Sequence, residues 1–183
     1  MSDESQHAQR VLDKASCLYD ANAIANAVIV LANAITEKLK DADPVVITIM
    51  NGGLIPAGMI LSHLNFPLQC DYLHASRYRG KTSGGKLDWI VKPQTELKGR
   101  TVLIIDDILD EGITLQAILD YCSKQGASSV YSCVLVEKLH DRKKGCRKAD
   151  FIGLQVDDVY VFGCGMDYKG YLRNAAGIYA VNE

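Results

Sequence analysis

The chain has 183 residues, with 20 lysines and arginines against 22 aspartates and glutamates, a formal net charge of −2 and a hydrophobic fraction of 48%. This composition is typical of a single ordinary domain, which at this length buries enough surface to be stable without disulfides. A charge so close to neutral argues against nucleic acid as a main partner, because nucleic-acid-binding domains carry clustered lysines and arginines.

The cysteines and the N-terminal segment favour a reducing, cytoplasmic environment. The six cysteines are scattered, without a C-x-x-C pair or a Cys/His cluster at zinc spacing, so we expect free thiols. The start, MSDESQHAQR, lacks the basic residues and apolar core of a signal peptide. The longest apolar-rich stretch, residues 21–35, is interrupted by asparagines and is shorter than the ~20 residues that span a bilayer. We therefore expect no membrane partner.

Helical and strand patterns alternate along the first part of the chain. Apolar residues at steps of three and four predict a helix, and the β-branched run VVITIM predicts a strand buried on both faces. The predicted elements are a helix over 20–40, a strand over 45–50, a turn over 51–53, a helix over 56–64 and a strand over 69–75.

Residues 76–86 have the composition of a mobile loop. Their sequence, SRYRGKTSGGK, combines three glycines with four cations and cannot pack a core. The segment is long for a connection, and loops of this length are often lids over a site. We expect a lid over about 76–90.

The second part of the chain repeats the alternation of strand and helix. We predict a strand over 101–106, an acidic turn over 107–112, a helix over 114–125 that Gly126 closes, and strands over 130–136 and 159–162. The fold class is therefore α/β, with a mostly parallel sheet flanked by helices. Ligands of such sheets bind beyond the carboxyl ends of the strands.

The most informative segment is VLIIDDILDEGIT, residues 102–114, where an apolar strand leads into acids and then a helix start. Four acids within six residues, Asp106, Asp107, Asp110 and Glu111, require a cation or a polyol to offset their repulsion. A helix start with Gly112 is a natural phosphate cradle. A ribose phosphate, bound with or without Mg²⁺, satisfies both halves of the segment.

Other interpretations of this segment fit less well. The P-loop pattern is absent, and Gly163-Cys164-Gly165 lacks the third glycine of a dinucleotide-binding fingerprint. The spacing of the acids also differs from that of a phosphoryl-accepting aspartate. A solvated acidic turn remains the simplest alternative, although it does not explain why the acids follow a buried strand.

VLIIDDILDEGIT resembles the phosphoribosyl pyrophosphate (PRPP) motif of type I phosphoribosyltransferases, and its surroundings are similar to the hypoxanthine-guanine branch. The resemblance spans residues 45–179 and includes, in order, the turn in IMNGG, Tyr78 in the lid, the lysine of VLVEK and the signature VYVFGCGMDYKGYLRN. It implies a single domain over 1–183, with a core at about 40–160, a small hood from about 1–40 and 160–183, and the mobile lid.

The resemblance also implies roles for residues around PRPP. Asp106 and Asp107 would bind the ribose hydroxyls, directly or through Mg²⁺, with Asp167 as a further magnesium ligand. Asp110 would be the general acid or base near the purine N7; as an alternative, Asp110 is simply a helix N-cap. The remaining implied contacts to phosphate or pyrophosphate are Asn51, Gly52, Gly53, Arg77, Tyr78, Glu111, Gly112, Ile113, Thr114 and Arg173.

Three residues would bind the purine base. Lys138 would donate to the 6-oxo group, Tyr160 would stack on the base, and the backbone of Val161 would meet the purine edge. A lysine has only donors, so it favours a 6-oxo over a 6-amino purine. The simpler alternatives are that Lys138 is a solvated lysine at a strand end and that Tyr160 is an ordinary strand tyrosine.

The sequence departs from the family pattern at three places. Asn51 stands where a lysine is common, Glu111 where a small hydroxyl residue is common, and Arg77 where a serine is common. We expect one phosphate contact to be missing at Glu111, which gives Thr114 more weight. The cations expected to compensate for Asn51 in the lid are Arg77, Arg79, Lys81 and Lys86.

The resemblance implies a Mg²⁺-dependent purine salvage transferase that converts hypoxanthine or guanine and PRPP into IMP or GMP and pyrophosphate. Homodimers or homotetramers are usual in the family. A xanthine- or adenine-preferring transferase, or a non-catalytic nucleotide-sensing regulator on the same fold, remain alternatives. We also expect a separation of charge, with acids meeting magnesium and ribose, and the lid and Arg173 meeting phosphates.

Overall fold

The structure is a computed structural model that describes residues 2–77 and 87–182. Tyr78, Arg79, Lys81 and Lys86 of the predicted lid lie outside the described residues, as does the side chain of Arg77. In the described part of the chain, no helix is long and apolar enough to cross a membrane.

A mostly parallel sheet forms the centre of the molecule and confirms the predicted fold class. Within the described ranges it has six strands: β2 (Val45–Met50), β3 (Gln69–Arg77), β4 (Leu87–Val91), β5 (Thr101–Leu109), β6 (Ser129–Leu139) and β7 (Phe151–Asp157). Their spatial order is β4-β3-β2-β5-β6-β7, and only β4 is antiparallel to its neighbour. The carboxyl ends of β2, β5 and β6 therefore meet at one edge, where the acidic segment lies.

Helices cover both faces of this sheet because its central strands are apolar on both sides. Along β5, Leu103 and Ile105 join one core with α2 (Ala21–Leu39) and α3 (Leu54–Leu61), while Val102 and Ile104 join a second core with α4 (Ile113–Lys124). Alternate side chains of a strand point to opposite faces, so one apolar run serves two cores. Asp20 caps α2, its side chain accepting from the Ala23 amide at 2.8 Å.

A second, antiparallel sheet forms the hood that the resemblance implies. It consists of β1 (Ser16–Tyr19), β9 (Ile178–Ala180) and β8 (Val161–Phe162) in that spatial order, with α1 (Asp3–Lys14) beside it. The strand predicted over 159–162 is thus shorter than expected and belongs to the hood. The sequence patterns did not reveal α1, β1 or β9, nor β4 and β7 of the central sheet.

Several boundaries differ from the predictions because strand pairing extends elements through polar residues. β5 continues to Leu109, paired opposite Glu137 of β6, so Asp106 and Asp107 lie within a strand and the acidic turn begins at Asp110. Asp disfavours strands by itself, and the pairing overrides that preference. Arg77 pairs with Leu87, which narrows the connection predicted over 76–86 to residues 78–86.

Candidate active site

A cavity of about 430 Å³ lies at the carboxyl ends of β2 and β5 and gathers most of the predicted site. The predicted residues that line it are Asn51, Gly52, Asp106, Asp107, Asp110, Glu111, Gly112, Ile113, Thr114, Asp167 and Arg173. Gly53, Lys138, Tyr160 and Val161 do not line this cavity. Two of them still connect to it, Lys138 through Asp110 and Tyr160 through Asp167.

The turn after β2 packs tightly against the acids of β5. A Cβ on Gly52 would lie 2.1 Å from Oδ2 of Asp107, and a Cβ on Gly165 would lie 2.2 Å from the Gly52 carbonyl oxygen. Only glycine leaves room for these approaches. The Met50–Asn51 peptide, for which the resemblance allows a cis form, is cis.

Arg173 joins three parts of the site. Its guanidinium donates to the Gly165 carbonyl oxygen at 2.6 Å, lies 2.7 Å from Asp167 Oδ1 and lies 3.7 Å from Asp107 Oδ2. The sequence predicted that Arg173 would lie with the cations that face phosphates, apart from the acids. In the structure Arg173 is instead paired with Asp167 and lies near Asp107, so the expected separation of charge is not observed at this residue. The reason is that residues 165–173 approach both the turn after β2 and the end of β5, which brings Arg173 close to Asp107.

Asp106 and Asp107 offer the oxygen donors that a hard divalent cation prefers. Burial raises the pKa of Asp106 well above its usual value, and the charge of Asp107 raises it further. Burial also raises the pKa of Asp107, although the hydrogen bond with Asp106 and the charge of Arg173 act in the opposite direction. A cation would offset this unfavourable burial. Since Mg²⁺ binds through one or two carboxylates plus substrate oxygens, the pair fits it without a closed cage.

The start of α4 has free backbone donors and a tightly packed turn. Gly112 is its N-cap with φ +74°, and no side chain caps the helix, so the interpretation of Asp110 as an N-cap is wrong. The first amides of a helix lack intrahelical acceptors and can bind phosphate. A Cβ on Gly112 would lie 2.0 Å from the Cys146 carbonyl oxygen, and one on Gly145 would lie 2.4 Å from that of Gly112.

The segment after β6, residues 140–150, supports this turn from outside. Amides of Lys144 and Gly145 donate to the Glu111 carbonyl oxygen, and that of Cys146 donates to the Gly112 carbonyl oxygen. The Lys144 ammonium also lies 3.2 Å from Glu111 Oε1. The side chain that departs from the family pattern therefore has a partner in a neighbouring segment.

Three cationic or polar side chains surround the Asp110 carboxylate. His140 Nε2 lies 2.7 Å from Oδ1, Lys138 Nζ lies 3.4 Å from Oδ2, and the Arg142 guanidinium lies 3.8 Å from Oδ1. The Lys138 side chain is only 13% exposed. The interpretation of Lys138 as a solvated lysine is therefore wrong.

Tyr160 and Val161 lie in the hood. Tyr160 precedes β8 and is 52% exposed, with its hydroxyl 3.3 Å from the Asp167 carbonyl oxygen and its ring edge-on to Tyr168. It is therefore not an ordinary strand tyrosine, because it lies outside β8 with its hydroxyl near the backbone of Asp167. Val161 is buried within β8, opposite Ala180.

In the described ranges, one group of ionisable side chains has the spacing of a metal site, and it contains none of the predicted magnesium ligands. It consists of Asp110, His140 and Asp158, with ligand atoms within 4.8 Å of one another. The guanidinium of Arg142 lies between the two acids, 2.5 Å from Asp158 Oδ1. An arginine already compensates these carboxylates, so we assign no metal there.

The sequence analysis missed the partners of the acids, namely His140, Arg142 and Lys144. Only one signal was available: His140 lies two residues after Lys138, and alternate residues at a strand end share a face. The contacts of Arg142 and Lys144 depend on the path of the segment after β6, which no local pattern encodes.

Comparison with known proteins agrees with this geometry. The chain matches the phosphoribosyl transferase domain over residues 14–169. It is 31% identical over 166 residues to the hypoxanthine-guanine-xanthine phosphoribosyltransferase of Tritrichomonas foetus, covering 91% of each protein. It is 33% identical over 145 residues to the hypoxanthine-guanine phosphoribosyltransferase of Bacillus subtilis, covering 79% of this chain and 80% of that one.

Solved structures give the same result. A hypoxanthine phosphoribosyltransferase from Staphylococcus aureus superposes with a TM-score of 0.86 at 26% identity, covering 91% of each chain. The acidic end of β5, the glycine turn after β2 and the two-sheet architecture thus occur together in a chain that matches these relatives over most of their length. On these grounds, the chain belongs to the phosphoribosyl transferase family.

Proposed function

We propose that the protein is a purine salvage enzyme that transfers the phosphoribosyl group of PRPP to hypoxanthine or guanine, giving IMP or GMP and pyrophosphate. The observation that carries the proposal is the contact between Lys138 Nζ and Asp110 Oδ2 at 3.4 Å. It sets a donor and a carboxylate side by side, at the spacing of two neighbouring atoms on a purine edge.

This pair matches the edge of a 6-oxopurine that carries O6 and N7. Lys138 can donate to O6, and Asp110 can accept a proton from N7. Adenine presents a 6-amino donor in place of O6, which would face the donors of Lys138 with no acceptor between them. The pair therefore favours hypoxanthine, guanine or xanthine over adenine.

This placement of Lys138 and Asp110 determines which group would take the proton of the purine base. In the forward reaction N9 attacks C1′ of PRPP, the bond from C1′ to the pyrophosphate oxygen breaks, and the proton on N7 passes to Asp110. Positive charge develops on the ribose during this step. The carboxylates of Asp106 and Asp107 lie at the same end of β5 and stabilise that charge.

The phosphate groups have two sets of backbone donors. The first amides of α4, at Ile113 and Thr114, would bind the 5′-phosphate. The turn at Asn51 and Gly52 would bind pyrophosphate, and it needs no lysine side chain to do so. Asp106 and Asp107 would hold Mg²⁺ together with substrate oxygens, and Asp167 would be a further, separate magnesium ligand; the metal would neutralise charge on the departing pyrophosphate.

The name of the Tritrichomonas foetus relative includes xanthine, so a xanthine-preferring enzyme is the second candidate. A non-catalytic sensor of nucleotides is a third candidate, but Asp167 and Arg173, to which the resemblance assigns magnesium and pyrophosphate binding, are both present and line the cavity, which favours an enzyme. The predicted lid would exclude water from PRPP, and its role remains an expectation.

The test is release of pyrophosphate from PRPP and Mg²⁺ with hypoxanthine, guanine, xanthine or adenine in turn. We expect release with 6-oxopurines and little with adenine. Lys138→Met should lower kcat/KM for hypoxanthine by about 10- to 100-fold, the range for loss of one specific base contact. Lys124→Met, at the far end of α4, is the matched control. Nucleotide binding without pyrophosphate release would instead indicate the sensor.

We also propose that the protein forms a homodimer or homotetramer in the cytoplasm. Val30 of α2 and Leu54 of α3 are 67% and 55% exposed, which leaves apolar surface for a partner copy. All six cysteines are free, as a reducing compartment requires. Light scattering of the purified protein would test the oligomer, and a monomer at micromolar concentration would contradict it.

A further inference from the structure

The candidate site contains a histidine to which the proposed reaction assigns no role. His140 directly follows β6, and its side chain is only 5% exposed. Its two ring nitrogens have different partners: Nε2 lies 2.7 Å from Asp110 Oδ1, and Nδ1 lies 3.0 Å from the backbone nitrogen of Arg142. A buried ring with both nitrogens engaged is held in one orientation.

These partners determine which nitrogen of the neutral ring carries the proton. The backbone amide of Arg142 can only donate, so Nδ1 must accept. The proton of a neutral imidazole then resides on Nε2, which faces the Asp110 carboxylate. His140 is therefore arranged to donate one hydrogen bond to Asp110 without needing a positive charge.

The two carboxylate oxygens of Asp110 have different partners and therefore different roles. Oδ1 of Asp110 accepts from His140, while Oδ2 faces Lys138, where the purine edge is expected. A proton acceptor must lie within hydrogen-bond reach of N7 in a fixed direction. The Asp110 side chain is 41% exposed. Its contacts with Lys138 and Arg142 are longer, at 3.4 and 3.8 Å, so the 2.7 Å contact with His140 is the strongest restraint on this direction.

The segment that carries His140 is itself anchored on both sides. Lys143 pairs with Glu137 at the end of β6, and the Arg142 side chain lies 3.1 and 2.5 Å from the two carboxylate oxygens of Asp158. The charged groups facing the contact of His140 with Asp110 are Lys138, Arg142 and Asp158.

We propose that His140 is a positioning residue for the phosphoribosyl transfer: as the Nε2–H tautomer it holds Asp110 Oδ1 and so aims Oδ2 at the purine N7. This role rests on the proposed function, because it acts on the residue that takes the N7 proton. It assigns to His140 no contact with substrate.

The experiment compares two variants with a matched control. His140→Leu keeps a similar apolar volume but removes the donor, whereas the amide nitrogen of His140→Gln can replace Nε2 as a donor. We expect His140→Leu to lower kcat by about 10- to 100-fold with the KM for PRPP unchanged, since orientation and not binding is lost. His140→Gln should recover most of kcat, and His63→Leu, on the exposed end after α3, should match the wild type.

Two kinetic results would overturn the proposal. An unchanged kcat in His140→Leu would show that Asp110 does not need its contact with His140. Equal losses in His140→Leu and His140→Gln, or a loss that appears in the KM for PRPP, would indicate packing of the segment and not the hydrogen bond.

A measurement independent of activity separates this proposal from the proposed function. The ¹⁵N signals of the His140 ring, assigned by their loss in His140→Gln, should show the Nε2–H tautomer in the wild type and a changed pattern in Asp110→Asn. The Nδ1–H tautomer would overturn the proposal in an active enzyme. A wild type that releases no pyrophosphate with any purine, yet shows the Nε2–H tautomer, would overturn the proposed function and the positioning role but leave the contact intact.

Discussion

Strands β5 and β6 end side by side at the same edge of the sheet, and the segments that follow them carry opposite charges. After β5 come Asp110 and Glu111, and after β6 come His140, Arg142 and further lysines. Asp110 contacts His140 and Arg142 of the segment after β6, and Glu111 contacts Lys144 of the same segment. The segment after β5 thus holds the groups suited to chemistry, while the segment after β6 keeps those groups in place.

The ion pairs made by the segment after β6 differ in burial, and their expected energies differ accordingly. Glu137 and Lys143 have side chains 8% and 12% exposed, whereas Lys144, which reaches Glu111, is 68% exposed. An ion pair in a buried environment cannot lose one partner without leaving an isolated charge, while an exposed pair is replaced by water. This difference gives a graded set of tests.

The largest effect is expected at Asp110, the acid proposed to accept the proton of the purine. Asp110→Asn keeps the size of the side chain but removes its ability to accept a proton, so kcat should fall by about 10²- to 10⁴-fold. PRPP binding, measured by calorimetry, should change little, because the contacts proposed for its phosphates are with backbone amides and not with Asp110. An unchanged kcat would remove Asp110 from the acid/base role and leave the segment after β5 only a binding role.

An effect of similar free energy, but on stability, is expected in the segment after β6. Lys143→Met leaves Glu137 buried without its cation, and the free energy of unfolding should fall by about 3–5 kcal/mol in denaturant titrations. Lys124→Met, on the exposed end of α4, should change stability by less than about 0.5 kcal/mol. Equal effects of the two variants would show that the segment after β6 is not anchored at Glu137.

The same pair predicts a pH dependence. Burial alone would raise the pKa of Glu137, but hydrogen bonds from Lys143 and Gln155 outweigh burial and lower it from 4.5. A lowered pKa in the folded state means that the pair contributes its stability above about pH 4.5 and loses it as the pH falls further. The stability difference between wild type and Glu137→Gln should therefore shrink below that pH, and a constant difference would contradict this origin.

A smaller loss of stability is expected at Gly112, where the backbone of the segment after β5 contacts that of the segment after β6. In Gly112→Ala a Cβ would overlap the Cys146 carbonyl oxygen at a residue with φ +74°, which should cost about 2–4 kcal/mol of stability and raise the KM for PRPP. Gly58→Ala, inside α3 with no atom within 4 Å of its added Cβ, should be neutral or stabilising by about 0.5–1 kcal/mol. If both variants behaved alike, the close approach of Gly112 and Cys146 would be unimportant.

The smallest effect is expected at the exposed pair. Lys144→Ala removes the contact with Glu111 but keeps the Lys144 amide that supports the turn, so stability should change by at most about 1 kcal/mol. Thermal unfolding at low and high salt would measure it. A loss as large as that of Lys143→Met would show that the two pairs do not differ as their burial indicates.

The apolar and glycine patterns were sufficient to predict β2, β3, β5 and β6 of the main sheet, but not β4 and β7. The run VVITIM, the strand before Asp106 and the periodic stripe of α2 are each buried where predicted, because burial of an apolar face is encoded within a few consecutive residues. The short hood strands β1 and β9 were missed for the opposite reason. Each has four residues or fewer and exists only because the two ends of the chain pair with each other.

The acids of the site could be located from the chain alone, since a buried strand that ends in carboxylates and a glycine is a local feature. The residues that surround these acids could not be predicted from the sequence. Asp107 against Gly52, Arg173 against Asp167, and His140 against Asp110 join residues 55, 6 and 30 positions apart in the chain through geometry that the sheet order and the loop paths create. Local pattern thus specifies which groups stand at a strand end, while tertiary packing selects their partners, because electrostatic and hydrogen-bond energies depend on distance in space and not along the chain.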